Sequence, residues 1–198
     1  MLVFWAQKLV IYSIPKTGSS AIDAALAPHA DIAISSPPVL KHMPVYRFNR
    51  FMGPLFDVVN AGDFESFGII REPIDWLGSW YKYRGRAQLN GQDNSTANKT
   101  FDEFVLAAMK GKPPAFANVG SQARFVGGGV GDAGIDHLFQ YEQMDRAVAF
   151  LEDRLGHTIS LDRKNVSPPR PLELSDDARV RYTRKREEEF TLWESAAR

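Results

Sequence analysis

Two short stretches carry residue types able to hold and move a charged group. The first is Pro15-Lys16-Thr17-Gly18-Ser19-Ser20, between an apolar β-rich run at 9–14 and a helix-forming run at 21–26. A turn from strand to helix presents free backbone N–H groups and the positive end of the helix dipole, which together hold a phosphate. Gly18 lets the backbone come close, Thr17, Ser19 and Ser20 offer hydroxyl donors, and Lys16 adds a mobile positive charge. The lysine precedes the glycine and the first glycine of a Walker loop is missing, so this is a phosphate cradle of another kind. The second stretch is Arg71-Glu72-Pro73 continuing to Ser79, an arginine leaving a strand, a proline opening a helix and a serine two turns on. Arg71 can grip a phosphate bidentately and Ser79 can donate to the same group, which makes a second anion site.

Two lookalikes drop out. Gly129 to Gly134 satisfies G-x-G-x-x-G but precedes a strand instead of opening a helix, and reads as a turn. Gly111-Lys112 is followed by Pro113 where a nucleotide loop needs Ser or Thr.

Such residues need elements to position them. Strands are predicted over 9–14, 32–34, 66–70 and 135–141 from short β-rich runs bounded by Pro, Ser or Gly. Trp76, Leu77, Trp80 and Tyr81 recur at helical spacing behind Pro73, which predicts a helix over 73–84. Further helices are predicted over 21–26, 101–109 and 142–155, the last stopped by Gly156, and Ser175 is a plausible cap for a C-terminal one. The polar run 85–99 reads as an exposed excursion. Strands alternating with helices imply a mostly parallel sheet covered on both faces, in one α/β domain over 1–198.

Composition narrows the function. The chain has 24 basic and 24 acidic residues, so a nucleic-acid binder working through a general basic face is disfavoured and any anion site is local. There is no cysteine and there are four scattered histidines, so no thiolate nucleophile, disulfide or Cys-ligated zinc is available and no metal site is expected. The apolar run 1–15 is interrupted by Gln7 and Lys8 and is too short to span a bilayer, so no membrane partner and a cytoplasmic location are expected.

The two anion-binding stretches resemble those of sulfotransferases that use 3′-phosphoadenosine 5′-phosphosulfate, PAPS. In that family a P-K-T-G-S/T-S/T loop holds the 5′-phosphosulfate, and R-x-P followed by S-x-Y holds the 3′-phosphate. Pro15 to Ser20 match the first pattern, and Arg71-Glu72-Pro73 with Ser79-Trp80-Tyr81 match the second. Weaker likeness runs through Phe139 to Glu142 and Lys164 to Ser167. Trp76 stands where many members have a basic residue, and the chain is short for the family.

The resemblance implies a three-layer α/β/α fold related to nucleotide kinases, with PAPS as co-substrate and a small-molecule or carbohydrate hydroxyl or amine as acceptor. It implies that Lys16 neutralises charge on the leaving oxygen. His42, in Leu40-Lys41-His42-Met43-Pro44, resembles the base of carbohydrate sulfotransferases, and neutral imidazole suits that task. Asp63 and Glu65 are reserve bases, and His29, His137 and His157 read as structural. Lys164 and Arg170 sit in a loop able to fold over the nucleotide. The competing readings are an ATP-dependent phosphotransferase, which lacks a Walker lysine-serine pair here, and a nucleotide-binding protein without turnover.

Overall fold

The structure is a computed structural model that describes residues 1–59, 62–127, 134–162 and 169–197. Strands β1 (Leu2–Phe4), β2 (Leu9–Ile11), β3 (Ile32–Ala33), β4 (Glu65–Ile70) and β5 (His137–Gln140) form one open sheet in the order β3-β1-β2-β4-β5. β2 pairs parallel with β4 and β4 parallel with β5, while β1 is antiparallel to both β2 and β3. The sheet is therefore mixed, which corrects the expectation of a mostly parallel one. The cause is the segment Leu2–Phe4. It folds back on Leu9–Ile11 through a tight turn closed by the Lys8 N–H on the Trp5 carbonyl at 3.3 Å, so the apolar amino-terminal stretch is a hairpin.

Ten helices are described: α1 (Ser19–Leu26), α2 (Pro38–Lys41), α3 (Val45–Phe51), α4 (Gly53–Val58), α5 (Pro73–Arg84), α6 (Phe101–Ala108), α7 (Gln122–Val126), α8 (Met144–Leu155), α9 (Asp176–Lys185) and α10 (Glu187–Ser195). α5 spans the predicted range. α6 starts at a capping box, the Thr100 hydroxyl accepting from the Glu103 N–H while the Glu103 carboxylate accepts from the Thr100 N–H. Gly156 closes α8 in the left-handed conformation. Helices α2 to α4 occupy 38–58, a span the sequence pattern left without elements.

Strand alternation divides the core. Leu9 and Ile11 of β2 with Phe67 and Ile69 of β4 pack with Ile22 and Leu26 of α1 and with Ala147 and Leu151 of α8. Val10 and Tyr12 point the other way, into a cluster with Val45 and Phe48 of α3, Phe56 of α4 and Phe125 and Val126 of α7. A third cluster joins α5, α6 and α9 through Trp76, Leu77, Phe104 and Tyr182. No helix among the described residues is long and apolar enough to cross a membrane.

The topology sets where the loops diverge. The chain leaving β2 runs through α1 to β3 on one side of the sheet, and the chain leaving β4 leads to β5 on the other. The connections diverge beyond the carboxyl ends of these two adjacent parallel strands, and such a switch point leaves a crevice. Residues 12–18 follow β2 and Arg71 follows β4, so both sequence-identified stretches border it.

Candidate functional site

The β2–α1 loop is held from below by donors that take its carbonyls. The buried Trp76 indole N–H donates to the Pro15 carbonyl at 2.9 Å, and an Arg71 Nη1 N–H donates to the Lys16 carbonyl at 3.4 Å. With its carbonyls engaged, the loop leaves its amides: the N–H groups of Lys16 to Ser20 meet no acceptor among the described residues. Lys16 has φ 69° and Gly18 φ 77°, so the chain is left-handed at two positions around Thr17. Alternating backbone of this kind turns successive N–H groups to one side and forms an anion-binding concavity.

Glycine suits position 18. Its φ favours glycine, and an added Cβ would lie 3.0 Å from the Met144 methyl and 3.4 Å from the Tyr141 ring. The close approach that Gly18 permits is thus to the β5–α8 junction. Thr17 also departs from expectation. It is buried, and its hydroxyl donates to the Ile14 carbonyl at 2.9 Å, so it braces the loop internally instead of presenting a donor.

Lys16 lies among aromatics and like charges. Its Nζ is 4.3 Å from the Tyr83 ring centroid and 5.7 Å from that of Trp80, both on α5. Burial, with Arg86 and Arg71 nearby, lowers its pKa to about 8. The Trp80 indole N–H beside it is buried with no acceptor among the described residues. An anion entering here gains a cation already short of solvent.

Arg71 is placed by a residue that sequence reasoning missed. Gln122, at the start of α7 and 1% exposed, accepts from the Arg71 N–H at 2.9 Å and donates to the Arg71 carbonyl at 2.8 Å. It serves the backbone as a neighbouring strand would, and nothing in its sequence neighbourhood signals this. The Arg71 guanidinium carbon lies 4.4 Å from the Tyr141 ring centroid, and its Nε donates to Asp75, one turn into α5. Ser79 is half-buried on α5, two turns beyond Arg71.

His42 belongs to the same loop by contact. It ends α2, and its Nδ1 is 2.6 Å from the Ser13 carbonyl. A carbonyl only accepts, so Nδ1 carries the proton and Nε2 is the basic nitrogen. Burial lowers the His42 pKa from its ordinary value, partly countered by the bond to Ser13, which keeps the ring neutral near pH 7. Behind it the Ser13 hydroxyl donates to Asp23 at 2.8 Å and accepts from the Met1 amino group at 2.7 Å. Lys41 pairs with Asp23 at 2.9 Å and donates to the Ser20 hydroxyl at 3.3 Å. Asp23 had a readable signal: it lies on the inward side of α1 with Ile22 and Leu26, and a carboxylate there needs a cation.

Other candidates lie apart. Glu65 opens β4, at the end of the strand away from Arg71, where it meets His137 at 2.7 Å and Arg154 at 2.9 Å, and exposed Asp63 precedes it. Both reserve carboxylates thus lie at the opposite end of β4 from Arg71. His29 and His157 pack against each other with ring centroids 4.7 Å apart. Arg170 is occupied: it donates to the carbonyls of Thr96, Ala97 and Lys99 at 2.8, 3.2 and 2.9 Å and stacks 3.9 Å from the Tyr81 ring centroid. That is a clamp on the chain before α6, so the guanidinium expected at a nucleotide is engaged here with the protein's own carbonyls. Lys164 and the turn over 129–133 lie outside the described residues. An open groove of about 850 Å³ between Tyr81, Phe101, Asp102 and Pro171 shares no residue with the loop.

Comparison with models of known families, with curated proteins and with solved structures finds no match to this chain.

Replacing Gln122 by Ala strips partners from the Arg71 N–H and carbonyl, each worth about 1–3 kcal/mol when buried. Urea denaturation of Gln122→Ala is expected to show a loss of about 2–4 kcal/mol. A loss under about 0.5 kcal/mol would remove Gln122 as the support of Arg71.

Proposed function

We propose that the chain is a PAPS-dependent sulfotransferase acting on an acceptor hydroxyl or amine, and that its fold is the three-layer α/β/α arrangement of that family. One observation carries the reading: the loop whose N–H groups from Lys16 to Ser20 meet no acceptor among the described residues also holds, through the Ser13 carbonyl, an imidazole whose other nitrogen is basic. An anion cradle with a proton acceptor held against it is what sulfuryl transfer requires. Neither rival reading calls for a neutral histidine there.

In this reading the loop amides and Lys16 hold the 5′-phosphosulfate, and Arg71 with Ser79 meets the 3′-phosphate. The acceptor lone pair forms a bond to sulfur as the bond from sulfur to the bridging phosphate oxygen breaks. The acceptor proton passes to Nε2 of His42, and the electron pair stays on the departing oxygen, where Lys16 meets the growing charge. Stabilisation that grows along the reaction raises turnover more than it raises affinity. Tyr141, against the Arg71 guanidinium, and Asp75, which accepts from its Nε, fix the position of that side chain.

Two measurements test this. In calorimetric titrations, 3′-phosphoadenosine 5′-phosphate is expected to bind far more tightly than AMP. Arg71→Ala should shrink that preference by at least about tenfold, the worth of a charge-assisted contact; equal affinities in the wild type would remove the second anion site. In transfer assays from labelled PAPS to a panel of sugars, phenols and amines, His42→Asn keeps a donor for Ser13 but removes the base. It should lower turnover by about a hundred- to ten-thousandfold with nucleotide affinity within about twofold. Wild-type turnover should fall only below the ordinary imidazole range, because the His42 pKa is lowered and protonation there removes the base. Retained activity in the variant would place the base elsewhere.

A further inference from the structure

The span 38–59 is amphipathic in an unusual way. Its inner residues Val45, Phe48 and Phe56 are buried against the sheet. Yet seven of the nine exposed large apolar side chains among the described residues also lie in this span, among them Tyr46 at 54%, Phe51 at 63%, Leu55 at 53% and Val58 at 79% exposed. Phe51 closes α3, and Leu55 and Val58, three apart, lie on α4, which begins one residue after α3 ends. The apolar stripe of this helix pair is therefore wider than the part the sheet covers. Single exposed apolar residues are ordinary, but such a concentration marks an interaction surface.

The charges beside the stripe say what covers it. The span carries Lys41, Arg47 and Arg50 against a single acidic residue, Asp57, in a chain with zero formal net charge. Lys41 is committed to Asp23, but Arg47 and Arg50 are exposed and have no ion-pair partner among the described residues. Each lies against an exposed ring, Arg47 5.7 Å from Tyr46 and Arg50 5.3 Å from Phe51. An exposed ring with a guanidinium close by suits the boundary between hydrocarbon and phosphate, the ring entering the acyl layer and the cation remaining among headgroups.

We infer that α3 and α4 dock the protein on the surface of a bilayer bearing anionic headgroups, lying in the interface without crossing it. The inference rests on the patch alone and revises the expectation of no membrane partner. Combined with the transfer reading, it sets His42 and its loop close to the segment that meets the headgroup layer, so a headgroup hydroxyl or amine becomes the acceptor class that fits.

The test is co-sedimentation of the full chain with vesicles of phosphatidylcholine alone and of phosphatidylcholine mixed with phosphatidylglycerol. Binding to the mixed vesicles is expected, weakening as salt rises, with little binding to the neutral ones. The exposed substitutions F51E and L55E together should lower it at least about tenfold while circular dichroism stays unchanged, and R47A with R50A should flatten the salt dependence. Absence of binding at low salt, or equal binding by the F51E/L55E chain, overturns the inference. So does concentration-dependent self-association that F51E and L55E abolish, which would assign the stripe to a second copy of the chain. None of these readouts involves sulfate transfer, so failure of the membrane inference and failure of the transfer reading are separable.

Discussion

A buried carboxylate sets the constraint on which the site depends. Asp23 is 6% exposed on the inner face of α1, and an unpaired charge there would cost several kcal/mol. Its partners are Lys41 at 2.9 Å and the Ser13 hydroxyl at 2.8 Å. Satisfying that one charge joins the loop after β2 at Ser13, the first helix and the end of α2. His42 is the next residue after Lys41, so the same pairing brings its imidazole to the Ser13 carbonyl. The placement of His42 against the β2–α1 loop thus follows from pairing a charge that neither of them carries.

A second tension lies at Lys16. The residue is in left-handed backbone, partly desolvated, and close to Arg71 and Arg86, and each of these opposes its charged form or its conformation. The structure holds it there through the Pro15 and Lys16 carbonyls, gripped by Trp76 and Arg71, and through aromatic rings that accept the cation's field. A crowd of cations around outward amides is relieved by an anion. The strain is consistent with a site whose resting state is poised for a ligand.

Much of this was legible because local chemistry and global topology agree. Pro73 and the aromatic spacing behind it fixed α5, Gly156 fixed the end of α8, and the loop between β2 and α1 lay where residue type placed it. What escaped the sequence depends on partners far along the chain. Leu2–Phe4 is as apolar as any core stretch, and only its return through residues 5–8 makes it an antiparallel strand and the sheet mixed. Gln122 acts through two backbone bonds 51 residues away, which no spacing encodes. Thr17 and Arg170 have the residue types of ligand donors, but nearby carbonyls take those donors first. Helices α2 to α4 were hidden because their apolar residues face both the core and the solvent, which blurs the period that marks an ordinary surface helix.

The central claim is that Lys16 is a depressed-pKa cation awaiting an anion, and proton exchange on binding tests it most directly. An anion beside Nζ restores the charged form and raises the pKa from about 8, so above that pH binding must take up protons from the buffer. Calorimetry of 3′-phosphoadenosine 5′-phosphate binding at about pH 9, in two buffers of different ionisation enthalpy, should show net uptake approaching one proton, and Lys16→Met should abolish it. Binding with no proton exchange at that pH, or with the same exchange in the Lys16→Met chain, would contradict the account.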